Sequence, residues 1–384
     1  MPQWSTFDIE MMSLAISLAE KGRYTTRPNP NVGCVMVVDG KIIGQGFHIK
    51  AGGPHAEIHA LQDVEARQLQ HLLPKATAYV TLEPCSHFGR TPPCAKALIE
   101  ANVARVVVSQ MDANPQVSGN GIRMLEAAGI KVDVGLLTES ASKLNIGFMK
   151  RMTTGFPEVT VKLAASIDGK TALSNGVSKW ITGPEARADV QKLRARHCAL
   201  VTGVETILAD DPSLNVRYEQ LGCLTDKLSF EDVKQPLRVV LDSRARLTSN
   251  FKLFSIETPI LLVSCVDYPT KVSQEFNNHV SCITIGANAD GRVDLHALFS
   301  YLGKQCNSVL IEAGACLAGS VIQNNLADNL YLYQAMKILG SHGRNLMQLD
   351  DYQTMEQIPD VELVDSRRVG ADQRMIFNLN SPAS

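Results

Sequence analysis

The sequence predicts an α/β protein of two consecutive domains, each a sheet layered with helices. Three observations carry this expectation. The chain has 384 residues, more than one ordinary hydrophobic core organises. Short β-like runs alternate with helical stripes along most of it. The periodicity then breaks near the middle, over 145–157, where Thr153-Thr154-Gly155-Phe156-Pro157 supports neither pattern. The domains are therefore expected at 1–148 and 149–384.

Each element has its own cause. Over 8–21, Met11, Met12, Leu14, Ala15, Leu18 and Ala19 form one apolar stripe at helical spacing. The β-like runs 32–38 and 41–47 are joined by Asp39-Gly40, a strong hairpin signal. Gly52-Gly53-Pro54 interrupts the chain before a helix over 55–69, and 76–82 reads as a short buried strand. Pro92-Pro93 stands where a helix over 94–101 begins, since proline suits a first helical position. A strand at 103–109, a helix near 121–128 and a strand at 130–134 complete the first domain. A hairpin followed by helical crossovers predicts a mixed sheet. In the second domain, strands are expected at 159–164, 199–202, 238–242, 260–264, 308–312 and 329–333, with the polar, unpatterned stretch 219–235 as a surface insertion.

Composition narrows the function. The 37 basic and 39 acidic residues give a formal charge of −2. Split at residue 150, the first part has 14 Lys/Arg and 13 Asp/Glu, leaving 23 and 26 for the second. Neither part is a basic body suited to phosphate backbones, so no nucleic-acid partner is expected. No apolar run is long enough to span a bilayer, and residues 1–10 lack a signal-peptide pattern, so no membrane partner is expected either. Nine cysteines, mostly scattered singly as at Cys198, Cys265 and Cys306, suit a reduced, cytoplasmic protein more than a disulfide framework.

Chemistry concentrates first in His55-Ala56-Glu57 and in the two cysteines of Pro84-Cys85 and Pro93-Cys94. One imidazole and two thiolates suit zinc and leave a fourth position for water. A helix start favours the thiolate form of Cys94. Zinc brings a bound water near neutrality, and Glu57, two residues past His55, can take its proton and deliver it to a leaving amine. Zinc nucleobase deaminases use His-x-Glu followed by Pro-Cys-x-x-Cys. Here eight residues, not two, separate Cys85 from Cys94. The competing reading is a structural zinc whose fourth ligand is His59 or His87.

The run Pro84-Cys85-Ser86-His87-Phe88-Gly89-Arg90-Thr91-Pro92-Pro93-Cys94, with Pro28-Asn29-Pro30-Asn31-Val32-Gly33 upstream, resembles the bifunctional riboflavin-biosynthesis deaminase/reductase family. The resemblance extends over nearly the whole chain. It implies a cytidine-deaminase-like αβα domain followed by a dihydrofolate-reductase-like α/β domain, and makes the eight-residue spacing normal. It further implies hydrolytic deamination of 2,5-diamino-6-(5-phosphoribosylamino)pyrimidin-4(3H)-one, then NADPH-dependent reduction of the ribosyl group to give 5-amino-6-(5-phosphoribitylamino)uracil. On this resemblance His55, Cys85 and Cys94 hold Zn2+, Glu57 shuttles the proton, and the 29–33 segment lines the pyrimidine pocket. A tight turn before the hairpin explains that segment equally well.

In the second domain the stretch after the 308–312 strand is neither Gly-x-Gly-x-x-Gly nor a phosphate loop. Its two glycines alone are explained as well by helix–strand packing. The resemblance assigns Gly314, Ala315, Cys316, Leu317, Ala318, Gly319 and Ser320 to the NADPH loop and Glu312 to substrate. It also gives Ala164, Trp180, Thr206, Asp210 and Ser243 to cofactor, and Ser178, Arg194, Leu214 and Arg217 to substrate. A sugar phosphate is well held by guanidinium groups, although without the resemblance each arginine reads as a solvated charge and Trp180 as possible core. Lys162 and Asp168 are candidates for a proton donor. The partner is thus a small pyrimidine ribose phosphate, and a homo-oligomer is expected. The alternative is a single-activity nucleobase or tRNA deaminase with a non-catalytic nucleotide-binding tail, which the near-neutral first half disfavours for tRNA.

Overall fold

The computed structural model describes residues 4–86, 92–115, 117–270, 274–276 and 278–379. The chain divides into two compact units, 1–155 and 156–384. The expected boundary at 148/149 falls inside a helix, Ile146–Thr154, which belongs to the first unit and stops at Gly155 in the left-handed region (φ +78).

In the first unit α1 (Thr6–Ala19) opens on a reciprocal Ser5–Asp8 capping box. Strands β1 (Gly33–Val38) and β2 (Lys41–Phe47) form the expected hairpin, with Asp39 (φ 47) and Gly40 (φ 76) at its turn. Then follow α2 (Ala56–Ala66), β3 (Thr77–Leu82), α3 (Cys94–Glu100), β4 (Arg105–Gln110), α4 (Asn120–Ala127), β5 (Lys131–Val134), α5 (Thr138–Ser142) and α6 (Ile146–Thr154). The sheet order is β2-β1-β3-β4-β5. Its hairpin side is antiparallel and β3-β4-β5 is parallel, so the sheet is mixed.

Strand β1 is buried on both faces. Cys34, Met36 and Val38 pack with Ala56, Ala60 and Val64 of α2, while Val35 and Val37 pack with Met12 and Ala15 of α1. Glycine sets the depth of α2 on the sheet: a Cβ at Gly46 would lie 2.5 Å from the Ala60 nitrogen and 2.6 Å from the Ala56 oxygen. The start of α2, where His55 and Glu57 sit, is therefore fixed by close backbone packing.

The second unit contains β6 (Glu158–Ser166), β7 (Lys170–Ala172), α7 (Pro184–Arg196), β8 (Ala199–Gly203), α8 (Val204–Asp210), β9 (Leu237–Leu241), β10 (Ile260–Ser264), β11 (Val280–Thr284), α9 (Leu295–Gly303), β12 (Ser308–Glu312), α10 (Ala315–Gln323), β13 (Asn329–Ala335), β14 (Arg344–Asn345), β15 (Glu362–Val369) and β16 (Asp372–Asn378). Nine strands form one sheet in the order β11-β10-β9-β8-β12-β6-β13-β16-β15. From β11 to β13 every pairing is parallel, and the final hairpin adds antiparallel to β13. Apolar clusters cover both faces of the parallel part, as parallel sheets require.

The stretch 219–235 is ordered by its own bonds: the Tyr218 hydroxyl donates to the Leu228 carbonyl (2.6 Å), and the Gln235 amide pairs with both backbone groups of Val216. The hairpin of β15 and β16 has no counterpart in the expected elements. Strand β15 is exposed along most of its length, so it lacks the in-out alternation that would reveal it.

Candidate active sites

Each unit carries one candidate site. In the first, His55 caps α2 with an extended backbone (φ −80, ψ 172), and its carbonyl accepts the His59 N–H (3.1 Å). Its imidazole makes no capping bond and is left for the thiols. Cys94 is the first residue of α3, and Cys85 lies in the loop after β3. Two bonds tie Cys85 to the start of α3: Ala95 N–H to the Cys85 carbonyl (3.2 Å) and Cys94 N–H to Cys85 Sγ (3.3 Å). His55 Nδ1 is 3.3 Å from Cys94 Sγ and 3.6 Å from Cys85 Sγ, and the three donor atoms all lie within 4.8 Å of one another. Among the described residues no fourth ligand joins them, and His59 stands apart. His87 lies outside the described residues.

The electrostatics fit a divalent cation. A hydrogen bond from the Cys94 thiol, aided by His55 against the opposing effect of burial, brings Cys85 below the ordinary thiol value. Its bond to Cys85, together with burial, pushes Cys94 far up. Two adjacent sulfurs thus oppose each other's ionisation, and a cation between them favours the thiolate form of both. Glu57 is 3% exposed, and its Oε2 has no hydrogen-bond partner among the described residues. Burial raises its carboxyl to about 7, His55 opposing and Cys85 adding to the rise. A carboxyl with that value can accept and return a proton near neutrality.

Two supporting residues were not evident from the sequence. His48 is 2% exposed, and its ring meets His55 edge-on at 5.2 Å. Its Nδ1 bonds the Pro54 carbonyl (2.9 Å) and its Nε2 pairs with the Asn29 amide (3.2 Å). Of the 29–33 segment, Asn29 thus reaches toward the site. Asn31 is committed to Asn145 and Leu144, and a Cβ at Gly33 would fall 1.9 Å from the Ala15 carbonyl oxygen. The second supporting residue is Glu83. Its buried carboxylate accepts four backbone N–H groups, from Asp112 (3.3 Å), Gly119 (3.0 Å), Gly121 (3.0 Å) and Ile122 (3.4 Å). It thereby fastens the chain entering Cys85 to the start of α4.

In the second unit a cleft of about 1670 Å³ opens where the parallel strands end, the usual place for ligands in such sheets. Its wall includes Ala164, Ser178, Trp180, Arg194, Thr206, Asp210, Leu214, Arg217, Ser243, Glu312, Gly314, Ala315, Cys316, Leu317 and Ser320. Ala318 and Gly319 do not reach it. Ala318 is fully buried, and a Cβ at Gly319 would lie 1.9 Å from the Gln348 carbonyl oxygen. One turn of α10 after its start, these two face the packed side of the helix.

Trp180 is not core: it is 62% exposed, with the Arg187 guanidinium 4.5 Å from its ring centre. Asp210 pairs with Lys179 (3.5 Å), and Arg194 with Glu312. Lys162 lines the cleft over the Tyr333 ring, and burial lowers its ammonium below the ordinary lysine value against the opposing pull of Glu312. Asp168 instead accepts the N–H groups of Leu339 and Gly340. The Ser166 hydroxyl and these bonds hold it down at about 2, and they make it an anchor of this turn. Arg244 and Arg292 also line the cleft. No motif marks either, because strand order alone brings the 288–292 turn beside the end of β9.

Comparison with known proteins fits both sites. Residues 5–110 match the family model for the cytidine and deoxycytidylate deaminase zinc-binding region, and residues 157–374 match that for the RibD C-terminal domain. The riboflavin biosynthesis protein RibD of Haemophilus influenzae is 46% identical, over 98% of this chain and 99% of that protein. The chain belongs to the RibD family. The Escherichia coli RibD is 47% identical over 94% of this chain and 96% of its own length. Among solved structures, Acinetobacter baumannii RibD superposes with a TM-score of 0.88 at 42% identity, covering 98% and 99% of the two chains. A deaminase/reductase from Thermotoga maritima gives 0.83 at 31% identity, covering 97% and 99%. This RibD-family chain is thus a bifunctional enzyme of riboflavin biosynthesis, a deaminase with zinc followed by a reductase with NADPH. A non-catalytic tail is excluded by the match over 157–374. No helix among the described residues is long and apolar enough to cross a membrane.

Proposed function

We propose that the first unit hydrolyses the ring amine of 2,5-diamino-6-(5-phosphoribosylamino)pyrimidin-4(3H)-one, and that the second reduces the ribosyl group of the product to ribityl. The Thermotoga maritima relative is described as a diaminohydroxyphosphoribosylaminopyrimidine deaminase and 5-amino-6-(5-phosphoribosylamino)uracil reductase, which supports this pair of substrates. His55, Cys85 and Cys94 would hold the zinc, which supplies Lewis-acid activation of water. Glu57 takes a proton from the attacking water and gives it to the departing amine. The observation carrying this reading is the buried, unpartnered Glu57 oxygen beside three convergent ligands.

In the second unit the start of α10, from Gly314 to Leu317, offers backbone N–H groups to a dinucleotide phosphate. Arg217, exposed on the cleft wall, suits the substrate phosphate. The chain's part in hydride transfer is to orient two ligands and exclude water, with Lys162 the buried cation closest in kind to a proton donor. Release of ammonia, followed separately from NADPH oxidation, tests the two steps. A zinc-loaded protein that releases none from the diaminopyrimidinone phosphate overturns the first.

A homo-oligomer and a cytoplasmic location complete the proposal. Edge strand β15 exposes Leu363 and Val364 (54% and 61%), and a second copy would cover such an edge. All nine cysteines are free thiols, which suits a reducing compartment. Light scattering of the purified protein gives the oligomeric state directly.

A further inference from the structure

We propose that Arg244, assisted by Arg292, takes up the 2′-phosphate of NADPH and so sets which nicotinamide dinucleotide the reductase half accepts. This rests on the reading that the cleft holds the dinucleotide. Where a dinucleotide lies across the ends of parallel strands, a neighbouring strand end meets the adenosine ribose. A carboxylate there accepts from the 2′-hydroxyl of NADH, whereas an arginine suits the extra phosphate.

The strand end concerned here is that of β9. Its acid, Asp242, is fully buried, and its Oδ2 accepts the Leu247 N–H and the Tyr268 hydroxyl, each at 2.8 Å. It is turned into the protein and withheld from any ribose. The next two residues, Ser243 and Arg244, line the cleft. Ser243 Oγ accepts the Val293 N–H (3.2 Å), which leaves its own O–H to donate and ties the 288–292 turn beside it.

That turn is preorganised. Asn288 Oδ1 accepts the N–H groups of Asp290 (3.1 Å) and Arg292 (2.9 Å), and Asn288 N–H meets the Arg292 carbonyl (2.7 Å). The Arg292 guanidinium touches Cys316 Sγ in the first turn of α10, so it stands between the end of β9 and the helix start. Arg246 is already engaged, 2.5 Å from Glu205. Arg244 is exposed on the cleft wall and forms no hydrogen bond or ion pair among the described residues. A free guanidinium beside a hydroxyl donor, with the strand-end carboxylate of Asp242 buried, suits a phosphate dianion better than a bare ribose. Of the other carboxylates on this part of the wall, Glu205 pairs with Arg246, Asp294 accepts the Ala297 N–H, and Asp290 stays exposed on the turn.

Calorimetric titration of the full chain with NADPH, NADH, 2′,5′-ADP and 5′-AMP tests this without turnover. Arg244→Ala is expected to weaken NADPH and 2′,5′-ADP by about 10- to 100-fold and to leave NADH and 5′-AMP within about twofold, as loss of a charge-assisted phosphate contact should. Arg292→Ala should give a smaller loss of the same selectivity, and Arg244→Lys an intermediate one. Unchanged NADPH affinity in Arg244→Ala, or equal losses of NADPH and NADH, overturns the role of Arg244 while leaving the cleft as the dinucleotide site. A wild-type protein that binds neither dinucleotide overturns both.

Discussion

Arg194 and Glu312 meet inside the reductase cleft as a two-pronged ion pair, Nε to Oε1 at 2.6 Å and Nη2 to Oε2 at 2.9 Å. Their side chains are 11% and 12% exposed, and Arg194 also donates to the Asn215 carbonyl (2.9 Å). Both residues were expected to face substrate. The geometry makes them a largely buried pair on the cleft wall, joining α7 to the end of β12 and fixing the Glu312 side chain.

Breaking one side of this pair removes the two-pronged partner of the other, and Lys162 is the cation left facing Glu312 when Arg194 is lost. Arg194→Ala is expected to cost about 3–5 kcal/mol of stability in the second unit, whereas Arg194→Met combined with Glu312→Leu should cost far less. Urea unfolding curves of the three proteins check this. A single variant as stable as wild type contradicts it.

Glu57→Gln keeps the shape of the site and removes its base. Ammonia release should fall about 10²- to 10⁴-fold with zinc content unchanged. Reduction of separately supplied deaminated substrate should persist. Metal analysis and the two assays on one preparation distinguish loss of the base from loss of the site.

Glu83→Gln replaces an oxygen that accepts N–H groups by an amide that must itself donate. Two of the four bonds at Gly119, Gly121, Asp112 and Ile122 are then opposed. Zinc affinity should drop about 10- to 100-fold although no ligand is touched, the size typical of residues that orient metal ligands. Competition with a chromogenic chelator measures it, and deamination at saturating zinc should recover much of its rate.

Asp8 supplies an acid-sensitive part of the fold. Burial alone would raise its carboxyl, but bonds from Ser5, Arg105 and Tyr79 outweigh that and hold it well below the usual carboxylate range. A depressed folded value means stability that is present above the unfolded value of about 4 and is lost as pH falls below it. Asp8→Asn should therefore be clearly less stable than wild type at pH 7, with the gap closing toward pH 3. A gap that widens on acidification refutes the assignment.

Gly319 and Ser320 separate packing from binding. Gly319→Ala forces a Cβ against the Gln348 backbone and should cost about 1–3 kcal/mol as overpacking does. Ser320, on the cleft wall, should instead lose NADPH affinity on change to alanine with little change in melting temperature. Paired melting and NADPH-binding measurements decide between the two roles.

The chain itself determined the α/β class, the hairpin at Asp39-Gly40, the mixed first sheet and the ligand trio with Glu57, because each is written in local periodicity or in short fixed spacings. Proximity of His55 to the cysteines is a tertiary fact, yet the residue types alone announced it, since few other chemistries use that set. Tertiary structure alone decided the rest. Glu83, His48 and the Arg194–Glu312 pair acquire their settings from partners distant in sequence, and Arg244 reaches the cleft through strand order, none of which periodicity encodes. The last hairpin leaves no signature in the sequence because its edge strand, exposed along most of its length, has no apolar rhythm, and Ala318 and Gly319 face inward because a helix presents only part of each turn to a cleft.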